Sequence, residues 1–319
     1  MAQFEPERWL NLSGIIKETM VYRKISLTKE YMEGKILMKN SSVSICSIVR
    51  DCQINLERNI PRVERLRLLF KDSEVIVFEN DSRDNTLKIL ENWERKTFNV
   101  HVFSDTFKDL TIPLQAIGNE NPYFSISRIE KMVVYRNKYM HFLNNHGIKR
   151  DYVIVIDLDI SNFCIDGLIH SFGTSIDWDC ISANGTSISS KFKKQYHDSY
   201  ALIEYGKLNH VQTEQSIKLN RIRYSFLKQG MPLFLVDSAY GGLAIYKWIS
   251  IKDIYYSYLI NNDFRVQCKS EHVGLHKKMK ENSHYKIFIN PTMIVKYRSI
   301  SLQFLLLKFK ERLNSKIHN

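Results

Sequence analysis

The feature that most restricts this chain is an alternation of two periodicities. Short, β-branched apolar runs recur: "SVSICSIVRDC" (Ser42 to Cys52), "SEVIVFEND", "NVHVFSD" and "DYVIVIDLDI" (Asp151 to Ile160). Between them lie stretches at helical spacing. "INLERNIPRVERLRLLFK" carries Leu56, Ile60, Val63, Leu66 and Leu69 on one face. "DSRDNTLKILENWERK" opens with Ser82 or Asp84 as cap and carries Leu87, Leu90 and Trp93, and "ISRIEKMVVYRNKYMHFLNNHG" is stopped by Gly147. Strands that are apolar throughout belong to a parallel sheet covered by helices on both faces. The expected class is α/β.

The flanks read differently. Residues 1–40 read as short helices, "PERWLNLSGIIKETMVY" and "LTKEYMEGKILMK". Beyond Ile160, "WDCISANG" predicts a strand into a turn, "VDSAYGGLAIYKW" a glycine-interrupted strand and "YKIFINPTMIVKY" a late strand pair. With no Gly/Ser-rich or Pro-rich linker, residues 41–299 read as one domain whose sheet is extended by antiparallel strands. Residues 300–319 read as a basic amphipathic helix with Leu302, Leu305, Phe309 and Leu313 on its apolar stripe. Two readings of that helix stand: an interfacial membrane anchor, or a domain-closing helix packed on the sheet.

Apolar and aromatic residues are spread evenly and no segment recurs at a fixed period, which excludes a disordered chain or a repeat array. Five scattered cysteines without a CxxC pair predict reduced thiols in a cytosolic compartment. "MAQFEPERWLNL" lacks the apolar core of a signal peptide, and "FLLLKF" is too short to span a bilayer. The net charge of +12 attracts polyanions, whether nucleic acid, anionic lipid or a phosphorylated substrate, or simply solubilises a lysine-rich surface.

In parallel sheets ligands sit at the carboxyl ends of the strands. Here those ends are polar: Arg50-Asp51, Glu79-Asn80-Asp81, Ser104-Asp105 and Asp157-Leu158-Asp159. Two carboxylates at i and i+2 on an extended segment share one side, where they suit a hard divalent cation such as Mn²⁺ or Mg²⁺ bridging substrate phosphates. A D-x-D also arises by chance in turns. "ENDSRDNT" serves as a helix cap, yet capping leaves Glu79 and Asp81 unexplained; carboxylates there would accept from base N–H and ribose hydroxyl groups.

The succession of an apolar strand, "ENDSRDNT" and "VIVIDLDI" resembles the nucleotide-sugar-binding half of GT-A glycosyltransferases, and within them the capsule-associated mannosyltransferase (CAP59-like) group and its bacterial relatives. The resemblance covers roughly residues 42 to 300 in three or four short patches. It implies a GT-A fold, Rossmann-like, with residues 41–160 as the nucleotide-sugar half and 161–299 as the acceptor half. It implies nucleotide-sugar contacts from Arg50, Glu79, Asn80 and Asp81, a ribose contact or metal bond from Asp157, and metal ligation by Asp159. "RIEKMVVYRNKYM" resembles the family's R…RN helix, and Arg128 and Arg136 fall about 80° apart on it. A guanidinium fork suits a diphosphate, although two solvated arginines would have the same spacing.

In the acceptor half, "VDSAYGGLAIYK" offers Asp237 as a catalytic carboxylate, with Ser238, Tyr240, Gly241 and Gly242 beside the transferred sugar; a plain bulge is the alternative. "CKSEHVGLHKKM" resembles the segment that opens the final helix of related transferases. Glu271 there is a general base for an inverting attack or an acceptor-orienting group for a retaining one. His272 and His276 lie i, i+4 on one helix face; either completes a metal site, His272 being the one assigned to it, or both are surface residues. The family's histidine after the last strand is missing: "NPTMIVKYRS" has Lys296 and Tyr297 there. The metal then rests on His272, or on Asp159 and the diphosphate, or a lysine replaces part of its charge.

The resemblance thus implies a metal-dependent glycosyltransferase using a GDP- or UDP-linked sugar donor and a glycan or lipid-linked acceptor. Its expected place is the cytoplasm, with a peripheral contact at the inner membrane face, in synthesis of capsule, lipopolysaccharide or glycolipid. A sugar-phosphate nucleotidyltransferase is the second enzyme class, but "SIVRDCQINLERN" lacks that class's glycine-rich loop. A basic nucleic-acid binder is the third reading; no helix-turn-helix or RNP-like patch supports it, so no nucleic-acid partner is expected.

Overall fold

The computed structural model describes residue 25 and residues 28–108, 121–145, 150–189 and 192–297. Helix α1 (Lys29–Lys39) precedes β1 (Ser42–Val49), α2 (Gln53–Arg67), β2 (Asp72–Asn80), α3 (Thr86–Lys96), β3 (Val100–Asp105), α4 (Ile126–Asn145) and β4 (Tyr152–Ile156). Then follow β5 (Asn162–Phe163), α5 (Ile165–Phe172), β6 (Cys180–Ile188), β7 (Lys194–Tyr196), β8 (Ile203–Glu204) and α6 (Glu214–Arg223). The last elements are β9 (Phe234–Ser238), β10 (Leu243–Lys247), α7 (Trp248–Ile251), β11 (Leu259–Ile260), β12 (Cys268–Lys269), α8 (Glu271–Glu281) and β13 (Ile287–Lys296). The expected helices "PERWLNLSGIIKETMVY" and 300–319 lie outside the described residues.

The main sheet runs β3-β2-β1-β4-β10-β6-β13-β9-β8. Its first four strands are parallel, and β10 enters antiparallel between β4 and β6. The α/β class is as expected, a parallel sheet extended by antiparallel strands. The unbroken apolar run of β4 is explained by its two covered faces: Ile154 and Ile156 enter one core with Val43, Ile45 and Leu56, while Val153 and Val155 enter another with Tyr139 and Met140. Each such side chain stabilises the fold by roughly 1.5–3 kcal/mol when fully buried.

Two sequence expectations need correction. "VDSAYGGLAIYKW" is not one interrupted strand: β9 pairs with β13 and β8, whereas β10 pairs with β4 and β6. Gly241 (φ 66°) and Gly242 (φ 86°) supply the left-handed turn that carries the chain from one strand position to the other. The late strand pair is a single ten-residue strand, β13, whose register shifts between Asn290 and Ile294 beside Pro291.

Candidate active site

The chain runs outward from β1 to β2 and β3, then returns to β4 on the other side of β1. That reversal opens a crevice at the carboxyl ends of β1 and β4, the place where open parallel sheets bind ligands. A cavity of about 440 Å³ lies there, lined by Arg50 after β1, Asn80 at the end of β2, Asp157 and Asp159 after β4, and Arg128 and Arg136 from α4. Its far wall comes from the turn before β10 (Tyr240) and the start of α8 (Glu271 and His272).

The D-x-D loop is held from three sides. The Asp157 amide donates to Gly242 O at 2.9 Å. From α2, Asn55 Nδ2 donates to Asp159 O at 2.5 Å, and Asn59 Nδ2 donates to Leu158 O and Ile160 O at 3.0 and 2.7 Å. Asn59 is fully buried, so its amide satisfies two carbonyls that water cannot reach. The Asp157 carboxylate accepts from Tyr240 Oη at 2.7 Å and Tyr297 Oη at 2.8 Å, with Arg136 Nη2 at 3.6 Å. Burial still raises its pKa above the ordinary aspartate value, against the pull of Arg136. Asp159 points into the open cleft; the protein packed around it and the charge of Asp157 raise its pKa to about 7.

Arg136 is buried and its Nε donates to Glu271 Oε1 at 2.8 Å, while its Nη1 has no hydrogen-bond partner. Arg128 donates through Nη1 to Tyr123 O at 2.9 Å and keeps a buried, unpartnered Nε. The helix spacing thus brings both guanidinium groups to one cavity, each with a donor to spare.

Several expected site residues stand elsewhere. Glu79 is buried, and its carboxylate accepts from Ser82 N at 2.8 Å and Ser104 Oγ at 2.6 Å, so it braces the loop and is not among the cavity's lining. Asp81 accepts from Phe107 N and Lys108 N, at 3.2 and 3.1 Å, instead of facing the cavity. Asp237 is buried against Lys280 Nζ at 2.9 Å and Leu208 N at 3.0 Å, which removes it from the cleft. Ser238 donates to Ala201 O and meets His276 Nδ1, both at 2.8 Å. Gly241 and Gly242 shape the wall without lining it: a Cβ on Gly242 would overlap the Tyr297 phenol. The cap of α3 also differs, because Ser82 Oγ accepts from Asp51 N and Asp84 accepts from Gln53 N as well as Thr86 N. "DSRDN" ties β2's end to β1's end.

His272 lines the cavity but differs from its expected role. Its ring stacks on Tyr240 with centroids 3.8 Å apart, both ring nitrogens are buried without hydrogen-bond partners, and burial and then Arg136 push its pKa well below the usual histidine value. Among the described residues no three His, Cys, Asp or Glu side chains are grouped to hold a metal ion, so Asp157, Asp159 and His272 are not a ready-made triad. His276 is buried too, beside Tyr246 Oη at 3.1 Å, and is no surface histidine. The donor set that does fit a hard cation is the Asp159 carboxylate, an accessible oxygen ligand that no other described residue's hydrogen bond occupies.

Sequence reasoning missed His197, Asp198 and Tyr200, which lie in a stretch read only for its basic charge, "SKFKKQYHD". Asp198 adopts a left-handed backbone (φ 59°) and accepts from Gly241 N at 3.3 Å; burial, then Asp157 and Glu271, raise its pKa to about 7. His197 stacks on Tyr297 at 3.5 Å between centroids. The signal available was the mixture of acid, histidine and tyrosines in "QYHDSY", which a solvated charge run does not need.

No family model matches the chain, and no curated protein matches it. Solved structures do resemble it. The mannosyltransferase PcManGT from Pyrobaculum calidifontis, solved with GDP-Man and Mn²⁺, is 11% identical over 94% of this chain and 74% of its own, with a TM-score of 0.44. TarS residues 1–349 from S. aureus is 16% identical over 81% of this chain and 60% of its own, TM-score 0.39. The glucosyl-3-phosphoglycerate synthase of Mycobacterium tuberculosis, with Mn²⁺, UDP and glucosyl-3-phosphoglycerate, is 11% identical over 88% of this chain and 80% of its own, TM-score 0.41. At these identities and scores the likeness assigns no residue its role.

Proposed function

We propose that the protein is a glycosyltransferase that moves a sugar from a nucleotide-sugar donor to a hydroxyl acceptor. The observation that carries this reading is the meeting of Asp159, Arg128 and Arg136 in one cavity at the sheet's reversal point. Diphosphate needs positive charge from both sides. Two arginines with unsatisfied donors provide it on one, and Asp159 would hold Mn²⁺ or Mg²⁺ on the other. Held there, such an ion would supply charge neutralisation to the departing diphosphate. Arg50 and Asn80 extend the polar wall toward the donor's nucleoside. Asp157, spent on two phenols and Arg136, orients the loop and presents the remaining lone pairs to the ribose.

The resemblance to the capsule-associated mannosyltransferase group supports a GDP- or UDP-linked donor and a surface-glycan or lipid-linked acceptor. No described helix is long and apolar enough to cross a membrane, and the basic segment 300–319 would supply a peripheral contact. The division into a nucleotide-sugar half (41–160) and an acceptor half (161–299) is part of the same reading. The test is thermal stabilisation by GDP-mannose, UDP-glucose and UDP-N-acetylglucosamine with and without Mn²⁺. Metal-dependent stabilisation by one donor supports the reading; indifference to all three with metal present counts against it.

A further inference from the structure

A second cavity of about 660 Å³ adjoins the first, walled by α6 (Lys218 and Arg221), by β7 and by the 121–124 segment. The two share Arg128, His197, Asp198 and Tyr200. Resting on glycosyl transfer in the first cavity, we propose that the second is the acceptor cleft and that Asp198 takes the proton of the attacking hydroxyl, giving inversion at the anomeric carbon.

Four carboxylates border the donor cavity, and three are engaged or faced elsewhere. Asp157 accepts from two phenols beside Arg136. Glu271 neutralises the buried Arg136 at 2.8 Å, and protonating it would leave that cation only Asp157, at 3.6 Å. Asp159 is turned to the donor cavity and does not line the second one. Asp198 alone among the four borders both spaces, and the hydrogen bond it accepts, from Gly241 N at 3.3 Å, is long. Its left-handed backbone fixes it at the junction, held there by the same Gly241 turn that carries Tyr240 into the donor wall.

The step balances without a further reactant. The Asp198 carboxylate accepts the hydroxyl proton as the acceptor oxygen bonds to the anomeric carbon. The bond from that carbon to the diphosphate oxygen breaks, and its electron pair leaves with the nucleoside diphosphate. An acceptor hydroxyl that enters through the second cavity and attacks the face of the anomeric carbon opposite the diphosphate gives inversion.

Water can stand in for the acceptor, so the test is slow donor hydrolysis with Mn²⁺ and whichever of the three α-linked donors stabilises the protein. Proton NMR is expected to show the β anomer of the released sugar first. Asp198→Asn, in a conformation asparagine tolerates, is expected to lower turnover about 100-fold, the low end of a general base's contribution. Donor Kd should stay within about twofold, since catalysis and not ground-state binding is lost. An α anomer formed first, near-normal turnover in the variant, or an equal loss of donor affinity each overturns the assignment. Failure of the unmodified protein to bind any donor would instead count against glycosyl transfer itself.

Discussion

Arg136 and Glu271 form a buried ion pair, Nε to Oε1 at 2.8 Å, that joins the middle of α4 to the first residue of α8 across the cleft. Ser270 caps α8 by accepting from His272 N, so Glu271 sits where a helix N-terminus favours negative charge. Both residues line the cavity.

Arg136→Met leaves the Glu271 carboxylate buried without its cation. Breaking one side of such a pair costs about 3–5 kcal/mol, to be seen as a lower urea midpoint with an unchanged slope. Arg128→Ala removes a half-buried guanidinium with one backbone bond, and stability should fall by no more than about 1 kcal/mol. Donor affinity, by contrast, should drop by about one to two decades, the worth of a charge-assisted hydrogen bond. Equal stability losses in the two variants would contradict this division.

Glu79→Ala should cost stability more than nucleotide affinity. Its buried carboxylate accepts from Ser82 N and from the hydroxyl of the exposed Ser104, and losing these charge-assisted hydrogen bonds costs about 1.5–3 kcal/mol. Calorimetry showing a tenfold loss of donor affinity without loss of melting temperature would return Glu79 to the nucleoside.

Asn59→Leu should behave differently again. It strands the carbonyls of Leu158 and Ile160 and frees the loop that carries Asp159. Metal-dependent donor binding is expected to weaken although Asn59 is not among the cavity's lining, and a variant with normal binding would show that the loop holds its shape unaided.

Asp198 should make the protein less stable as pH rises. Its folded pKa, about 7, lies above the unfolded value of 3.8, so the folded state binds the proton more tightly. Relative to Asp198→Asn, the unmodified protein therefore loses stability as pH climbs from about 4 through 7, and the gap is constant above that. Comparing the two proteins at each pH cancels the opposing contribution of buried neutral histidines such as His276. A variant less stable than its parent at pH 8 would contradict the assignment.

The parallel half of the fold was legible because each strand and helix announces itself locally, by β-branched runs and helical spacing. The D-x-D loop and the Arg128–Arg136 spacing made part of the candidate site legible for the same reason. Which of the other candidates face the cavity depends on long-range pairing that no local pattern encodes. The separation of β9 from β10 depends on partners in β4, β6, β8 and β13, and it decides that Asp237 is buried while Tyr240 faces the cleft. Tyr297 reaches Asp157 from 140 residues away. Asp198 looked like part of a solvated charge run because Asp157, Tyr240 and Glu271, with which it lines the cavity, are remote in sequence.

The most direct measurement is isothermal titration of GDP-mannose, UDP-glucose and UDP-N-acetylglucosamine into the unmodified protein and Asp159→Ala, each with Mn²⁺ and with chelator. The unmodified protein is expected to bind one donor in a metal-dependent way, and Asp159→Ala to lose the metal-dependent part while keeping its melting temperature. Metal-independent binding, or the same metal-dependent affinity in both proteins, would contradict a donor diphosphate held through Asp159.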